Sequence, residues 1–459
     1  MRNHFLIILL SVGLLSFTGC VKMEMRGGMI PYIGLKNSTP EPVPSEPIND
    51  TGWRKGNFHW PQFRGPERTG HAPEQGVDIN WNTAPSPVWK KVCGAGHSSI
   101  ISSEKLLYTL EQQGDEETLT ARSLKNGELV WSFAEKTRWD DMMSGPGPRS
   151  TPTLINDQLI VLFSNGTLSC LQPNTGKLIW ETKTIEDDYI FPHWGISISP
   201  LVWKEQVIIN PGGEGSAVKS YSLASGKLNW ESKLSGKGVY LSPTILRLLG
   251  EDHLLVAVEG KIASLNPQNG KTIWEKPWKI FLNNVQIVQP IALSNNSFLI
   301  AAGYGKGAEC FSIRQESDNV NYLIESQWKS KDLKAKFSNP VLHDEYLYGF
   351  SENLLVCLEA KTGKLMWRGK KYGYSRILLC DKKLLILGNT GVLSVVNVNP
   401  DNFQEVFSEQ LLNNVRCWNG PVLANGYLFA RNGEEIACFN WAKQLPSSFT
   451  RLQEFPTSW

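Results

Sequence analysis

Six residues spread along the chain are equipped to hold a ligand together: Arg149, His193, Trp194, Arg376, Trp418 and Asn419. They lie in the short stretches GPGPRST (Gly145–Thr151), FPHWGIS (Phe191–Ser197), YGYSR (Tyr372–Arg376) and CWNG (Cys417–Gly420). Each stretch leads into an apolar run. If these stretches converge, they form a polar funnel with aromatic walls. A planar anion would lie against the indoles and pair with the guanidinium groups. The alternative is that the same residues cap strands and satisfy loop carbonyls. His193 is the one candidate for a base or a metal ligand. It stands without clustered histidines, so a hydrogen-bonded structural role is the better reading. IEDDY (Ile185–Tyr189) lacks the spaced oxygen ligands of a calcium loop and reads as a solvated acidic face. NPGGEGS (Asn210–Ser216) is rich in glycine but lies between strands, not ahead of a helix, and reads as a wide hairpin. No residue is assigned a catalytic or metal-binding role.

The cysteines add no chemistry. There are eight, with no C-x-x-C pair and no adjacent pair. Zinc binding and c-type haem attachment are therefore not signalled. Without Cys20, seven remain, an awkward number for a disulfide framework in an exported chain. Most sit in apolar runs, as in SCLQ, VCLE and ACFN, and read as small buried hydrophobes. The net charge of +2 gives no electrostatic case for nucleic acid. An apolar fraction of 41 % argues for a packed core.

A phrase repeated along the chain predicts what positions these loops. SLKNGELVW, LQPNTGKLIW, SLASGKLNW, LNPQNGKTIW and LEAKTGKLMW each run from an apolar stretch through an Asn/Thr/Ser-Gly turn to a tryptophan. The phrase-ending residues are Trp131, Trp180, Trp230, Trp274, Trp328 and Trp367. Their spacing, about 39 to about 54 residues, is that of a four-stranded propeller blade. Trp328 ends a copy whose turn has grown, and Phe407 replaces Trp in a seventh copy. The last unit runs out before an outer strand. APSPVWKKV (Ala84–Val92) carries Trp89 and has no blade of its own, so it is assigned to that gap. The expectation is an all-β, eight-bladed β-propeller of four-stranded antiparallel blades, closed by an N-terminal strand pairing with the last blade. The blades begin near Ser98, Arg149, Gly195, Gly238, Val285, Lys336, Tyr374 and Cys417. The tryptophans are expected to dock each blade on the next. Burying an indole removes roughly 150–250 Å² from water, an upper bound of about 4–6 kcal/mol per contact.

The termini read differently. Arg2, the apolar run Phe5–Phe17 and the small residues ending FTGC form a secretory signal over residues 1–20. Residues 21–59 read as a Pro/Ser-rich tether, extended through KNSTPEPVPSEPIND. The propeller is assigned to 60–445, with a tail over 446–459.

FTGC resembles a bacterial lipobox, which implies a lipid on Cys20. Val21 after it is similar to sequences sorted to the outer membrane. The repeated phrase resembles that of pyrroloquinoline-quinone (PQQ) type propellers. WPQFRGPERTG (Trp60–Gly70), GPGPRSTPTL, WGISISPLV and NPGGEGSAVKSYSLASGKLNW resemble a group of exported PQQ-binding-like β-propellers. An eight-bladed lipoprotein is also similar to the BamB family of outer-membrane assembly scaffolds. The resemblance implies a monomeric, non-catalytic envelope scaffold without a cofactor. It would be anchored to the periplasmic face of the outer membrane by lipid alone, with envelope proteins or a cell-wall ligand as partners. The alternative it implies is a PQQ-dependent alcohol or sugar dehydrogenase using calcium, or a descendant that still binds the quinone. That family often sandwiches its quinone with two adjacent cysteines, which this chain lacks.

Overall fold

The computed structural model describes residues 22–26, 30–34, 59–73, 78–281, 285–316, 321–424 and 426–442. Cys20, the signal sequence, residues 35–58 and the tail lie outside them. Within the span read as a tether, Lys22–Arg26 and Ile30–Gly34 pair as an antiparallel hairpin.

Eight four-stranded antiparallel sheets follow one another, with no helix among the described residues. Blade 1 comprises Ile101–Ser102, Leu106–Gln113, Glu116–Ser123 and Leu129–Glu135. Blades 2 to 7 span 153–183, 201–231, 244–277, 291–330, 341–371 and 376–410. Blade 8 takes Val422–Ala424, Tyr427–Arg431 and Glu435–Asn440 from the end of the chain. Its outermost strand is Ser86–Val92, in antiparallel register with Glu435–Asn440.

Why a ring forms is visible in the burial pattern. Second and third strands are apolar on both faces, as in Gln158–Leu162 and Thr167–Leu171, whereas the outermost strand alternates. A single sheet of this kind has two faces to bury, so each needs a neighbour on both sides. The hydrophobic clusters accordingly lie between blades. One joins Ile160 and Leu168 of blade 2 to Val207 and Tyr221 of blade 3. Another joins Tyr348 and Trp367 of blade 6 to Leu384 and Ile386 of blade 7.

The repeated phrase works across these layers. Each turn glycine at positive φ presents a bare Cα to the indole of the preceding blade. A Cβ on Gly176 would come 2.5 Å from the Trp131 ring, and one on Gly226 the same distance from Trp180. Gly270 meets Trp230, Gly363 meets Trp328, and Gly127 of blade 1 meets Trp89 of blade 8. Most of the indoles also donate to a carbonyl beside that turn. Trp89 reaches Leu124 O at 2.9 Å, Trp131 reaches Pro173 O at 2.9 Å, and Trp180 reaches Leu223 O at 2.8 Å. Trp230 is different and donates to Gln206 Oε1 of its own blade. Within each blade the Trp faces a small residue on the third strand. The pairs are Ala121–Trp131, Cys170–Trp180, Ser220–Trp230, Ser264–Trp274, Cys310–Trp328, Cys357–Trp367 and Cys438–Trp89. A register shift follows every one of these pairs. Four cysteines are therefore explained as small apolar partners of an indole. All seven described cysteines are buried, and no disulfide joins them.

Blades 5, 7 and 8 lack the turn glycine, and each departs in its own way. Trp274 packs on blade 5. It stacks on Phe298 at 5.6 Å, and its Nε1 meets no acceptor among the described residues. Trp367 donates to Asn399 O at 2.8 Å and packs on Phe403. Phe407 packs against Trp441, which stands where blade 8 has no turn and donates to Asn80 O and Thr83 O. A prediction follows from the unequal partners. Trp180→Phe forfeits a hydrogen bond to Leu223 O, which keeps Gln158 Nε2 at 3.1 Å, so it costs about 1 kcal/mol more than Trp274→Phe. Urea melts of the two variants measure the difference.

Candidate functional site

The inner strands surround a channel, and a short segment stops it. Trp60–Ala72 passes among the inner strands and bonds to five blades. Ser102 N donates to Trp60 O at 2.8 Å, and Leu154 N donates to Pro61 O at 2.7 Å. Arg68 donates to Pro200 O at 3.1 Å, Arg64 to Pro340 O at 3.2 Å, and Leu379 N to Gly70 O at 2.9 Å. Arg64 and Arg68 hold positive φ values of 64° and 57°, a conformation that this many bonds can sustain. The plug leaves a cavity of about 190 Å³ whose floor is Trp60, Phe63 and Arg64. Its walls come from the loops that lead into the inner strands. A second cavity, of about 280 Å³, lies against Arg64, Arg68 and His71 of the plug and against blades 4 to 6.

Four of the six predicted residues line the 190 Å³ cavity: Arg149, Trp194, Arg376 and Trp418. Two do not. His193 is exposed and sits edge-on to Trp194 at 5.3 Å. Asn419 is 1 % exposed and donates to Ser98 O at 2.7 Å, joining blade 8 to blade 1. Gly195 N closes a turn on Pro192 O with His193 and Trp194 at its centre, and one side chain goes to solvent while the other goes to the cavity; Trp418 stays on the wall while Asn419 turns to Ser98 O. IEDDY places Glu186, Asp187 and Asp188 in solvent. In NPGGEGS, Gly213 pairs with Gly236 beside a hairpin.

Other lining residues went unrecognised in the sequence. Arg64 comes from the plug, Tyr240 from the loop before blade 4, and Tyr304 from a turn inside blade 5. Lys336 is 8 % exposed and caged by aromatic rings. Its Nζ lies 4.7 Å from the Tyr304 and Tyr374 centroids and 5.3 Å from that of Phe337. Phe337 stacks on Trp418 at 5.3 Å. The available signal was the aromatic residues of YGYSR and of KFSNP (Lys336–Pro340), the stretch that leads into blade 6.

The cavity is cationic. Arg64, Arg149, Lys336 and Arg376 line it, and no Asp or Glu does. Arg149 is occupied by its own loop. It pairs with Asp141 Oδ2 at 2.6 Å and donates to Ser144 Oγ, Gly145 O and Gly147 O. Lys336 has Glu352 4.0 Å away. Arg376 Nη1 and Arg64 Nε meet no partner among the described residues. Burial lowers Arg376 to about 10. Burial, Arg68 and Arg376 together lower Arg64 to about 9. Both remain charged at neutral pH.

His97 also lines the cavity. Nε2 bonds to Ser144 O at 2.9 Å, while Nδ1 has no partner among the described residues. Burial, then the charge of Arg149, pushes the imidazole down to about 3. Burial of His71 in the plug, with the charge of Arg64, takes it to about 4. The unfolded chain binds these protons near pH 6.5, and the folded chain refuses them until far lower. Stability is therefore complete above about pH 6.5 and falls as the pH drops towards 4. Urea midpoints at pH 7 and pH 5 measure this limb, and His97→Gln makes it shallower.

PQQ with calcium does not fit this lining. Calcium takes six to eight oxygens, carboxylates foremost, and the alcohol proton needs a base. The cavity offers no carboxylate, and among the described residues no group of three or more His, Cys, Asp and Glu converges. Its donors suit an anion.

The family described as "Outer membrane protein assembly factor BamB" matches residues 115–369. A Legionella pneumophila protein of that name is 23 % identical over 254 residues, which is 54 % of this chain and 51 % of that protein. The chain thus spans about half the length of that relative. Among solved structures, BamB from Moraxella catarrhalis superposes with a TM-score of 0.57 at 13 % identity, covering 79 % of this chain and all of that one. Quinohemoprotein alcohol dehydrogenase from Comamonas testosteroni gives 0.61 at 11 % identity, covering 85 % and 82 %. At such identities both likenesses speak for the fold alone. The family match covers more than half of the sequence and falls on the blades that carry the Trp–Gly phrase, and the chain belongs to the outer membrane protein assembly factor BamB family.

Proposed function

We propose that this chain is a non-catalytic assembly scaffold of the cell envelope, held at the periplasmic face of the outer membrane by a lipid on Cys20. The observation that carries the reading is the match of residues 115–369 to a family described as an outer-membrane assembly factor. A ring of blades locked by interblade indoles supports it, because a rigid frame presents its loops without reorganisation. The lining of the channel supports it from the other side, since it lacks the acid–base pair that hydride or hydrolytic chemistry needs. The partner is an envelope protein, and the chain acts as a monomer.

Two measurements test this. In cells, Cys20→Ser moves the protein from the membrane fraction to the soluble periplasm. Photo-crosslinkers placed on exposed blade positions then capture an outer-membrane assembly component. Failure to label any outer-membrane protein above a crosslinker-free control counts against the scaffold. Purified protein mixed with quinone and calcium gives no dye reduction with alcohols or sugars, and sustained turnover would replace the scaffold with an enzyme.

A further inference from the structure

We propose that the channel cavity is a receptor for a small organic dianion with a flat, unsaturated body. The proposal does not depend on the envelope partner.

Three observations carry it. The first is charge. Four cations line about 190 Å³ of space, and carboxylates outside the lining, Asp141 and Glu352, face only Arg149 and Lys336. Arg376 Nη1 and Arg64 Nε are left without partners among the described residues. A desolvated guanidinium without an acceptor is costly, and proteins keep such groups where a ligand supplies the acceptor. The second is the pattern of neutral donors. Trp418 Nε1, Tyr304 OH and Ser338 Oγ are buried in the same wall and also lack partners among the described residues. Indole N–H only donates, and a hydroxyl can donate, so all three can serve acidic oxygens. The third is shape. Phe337 stacks on Trp418 at 5.3 Å with planes 26° apart, and Trp194 packs on Tyr240 at 5.4 Å. These rings supply flat apolar walls above the charged floor made by Arg64.

Arg376 offers its fork to one acidic group, and Arg64, whose Nη2 is held by Thr69 O and Pro340 O, offers its free Nε–H to a second. The plug closes the floor, which favours a short molecule over a threaded chain. Lys336 is already satisfied by its aromatic cage and would add long-range attraction.

The test uses the purified, folded chain and four probes: isophthalate, its neutral diamide, benzoate and inorganic phosphate. Tryptophan fluorescence and calorimetry report binding. Isophthalate is expected to saturate with a dissociation constant below about 1 mM and to weaken as salt rises. Benzoate should bind at least about tenfold more weakly, and the diamide not at all. Arg376→Met should lose at least about tenfold in isophthalate affinity while its unliganded melting temperature stays level or rises, because an uncompensated charge has been removed. A structural arginine would give the opposite melting shift. Should that variant fail to fold, Arg376→Lys keeps the charge without the fork, and an intermediate affinity loss supports the same assignment. The proposal is overturned by no saturation at 10 mM isophthalate, by equal binding of the diamide, or by undiminished binding to a folded Arg376 variant. Inorganic phosphate binding as tightly as isophthalate overturns the flat-body requirement.

Discussion

Trp89→Ala is expected to lower the free energy of unfolding by about 3–5 kcal/mol, the largest loss for any single tryptophan of the ring. Trp89 is 1 % exposed, on a strand that enters blade 8 from the opposite end of the sequence. It packs on Gly127 of blade 1, lies 6.4 Å from Phe429, and donates to Leu124 O at 2.9 Å. Truncation opens a cavity beside the one sheet whose outer strand is held to its third strand by hydrogen bonds and packing, with no connecting turn. In the other seven blades a turn joins the third strand to the outer one, whereas in blade 8 Ser86–Val92 and Glu435–Asn440 come from opposite ends of the propeller sequence. The ring therefore closes non-covalently within blade 8, and a loss of packing on Trp89 loosens the strand that makes the closure. Denaturant titration of Trp89→Ala beside Trp131→Ala gives the comparison. Equal losses would mean that the seam is no more dependent on its indole than an ordinary interface.

Arg431→Met is the second large loss, about 3–5 kcal/mol, and it acts at the same seam from inside the ring. Arg431 is 0 % exposed. It sits on the middle strand of the three that the end of the chain gives to blade 8, and its guanidinium donates across to Thr109 Oγ1 and to Leu110 O at 3.2 Å, both in blade 1. A further bond runs to Gly94 O at 2.7 Å. Glu111 is equally buried, accepting from Gly94 N and Thr120 Oγ1. Removing the cation takes the donors from Thr109 Oγ1, Leu110 O and Gly94 O in a layer closed to water. Arg431→Lys retains the charge but not the fork and is expected to recover less than half of the loss. Full stability in Arg431→Met would show that the seam is held by packing alone.

These two predictions separate what was legible in the sequence from what was not. The ring was legible because its repeating contact is made by two residue types at fixed spacing. Gly176 and Trp131, forty-five positions apart, report the same interface from both sides. The plug was not legible. WPQFRGPERTG has no strand period, and it bonds to backbone amides and carbonyls of blades as far away in sequence as Pro340 and Leu379. The site was half legible. The loops flanking the channel could be named, but the turn at Pro192–Gly195 and the bend at Asn419 set the side-chain directions, so Trp194 and Trp418 face the cavity while His193 and Asn419 turn away. Tyr304 was missed because it belongs to a turn inside a blade, and only the loops between blades were considered. Arg149, singled out as an anion ligand, lines the cavity but spends its donors on its own loop.

Amide hydrogen exchange across residues 86–92 tests the closed ring most directly. With Ser86–Val92 hydrogen-bonded along Glu435–Asn440 and Trp89 seated on blade 1, the amides of Trp89 through Val92 should exchange as slowly as those of Trp180 through Lys183, an outer strand inside the continuous chain. Exchange of 86–92 at the rate of an unprotected segment, with the outer strands of blades 2 to 7 still protected, would contradict a ring sealed by this strand.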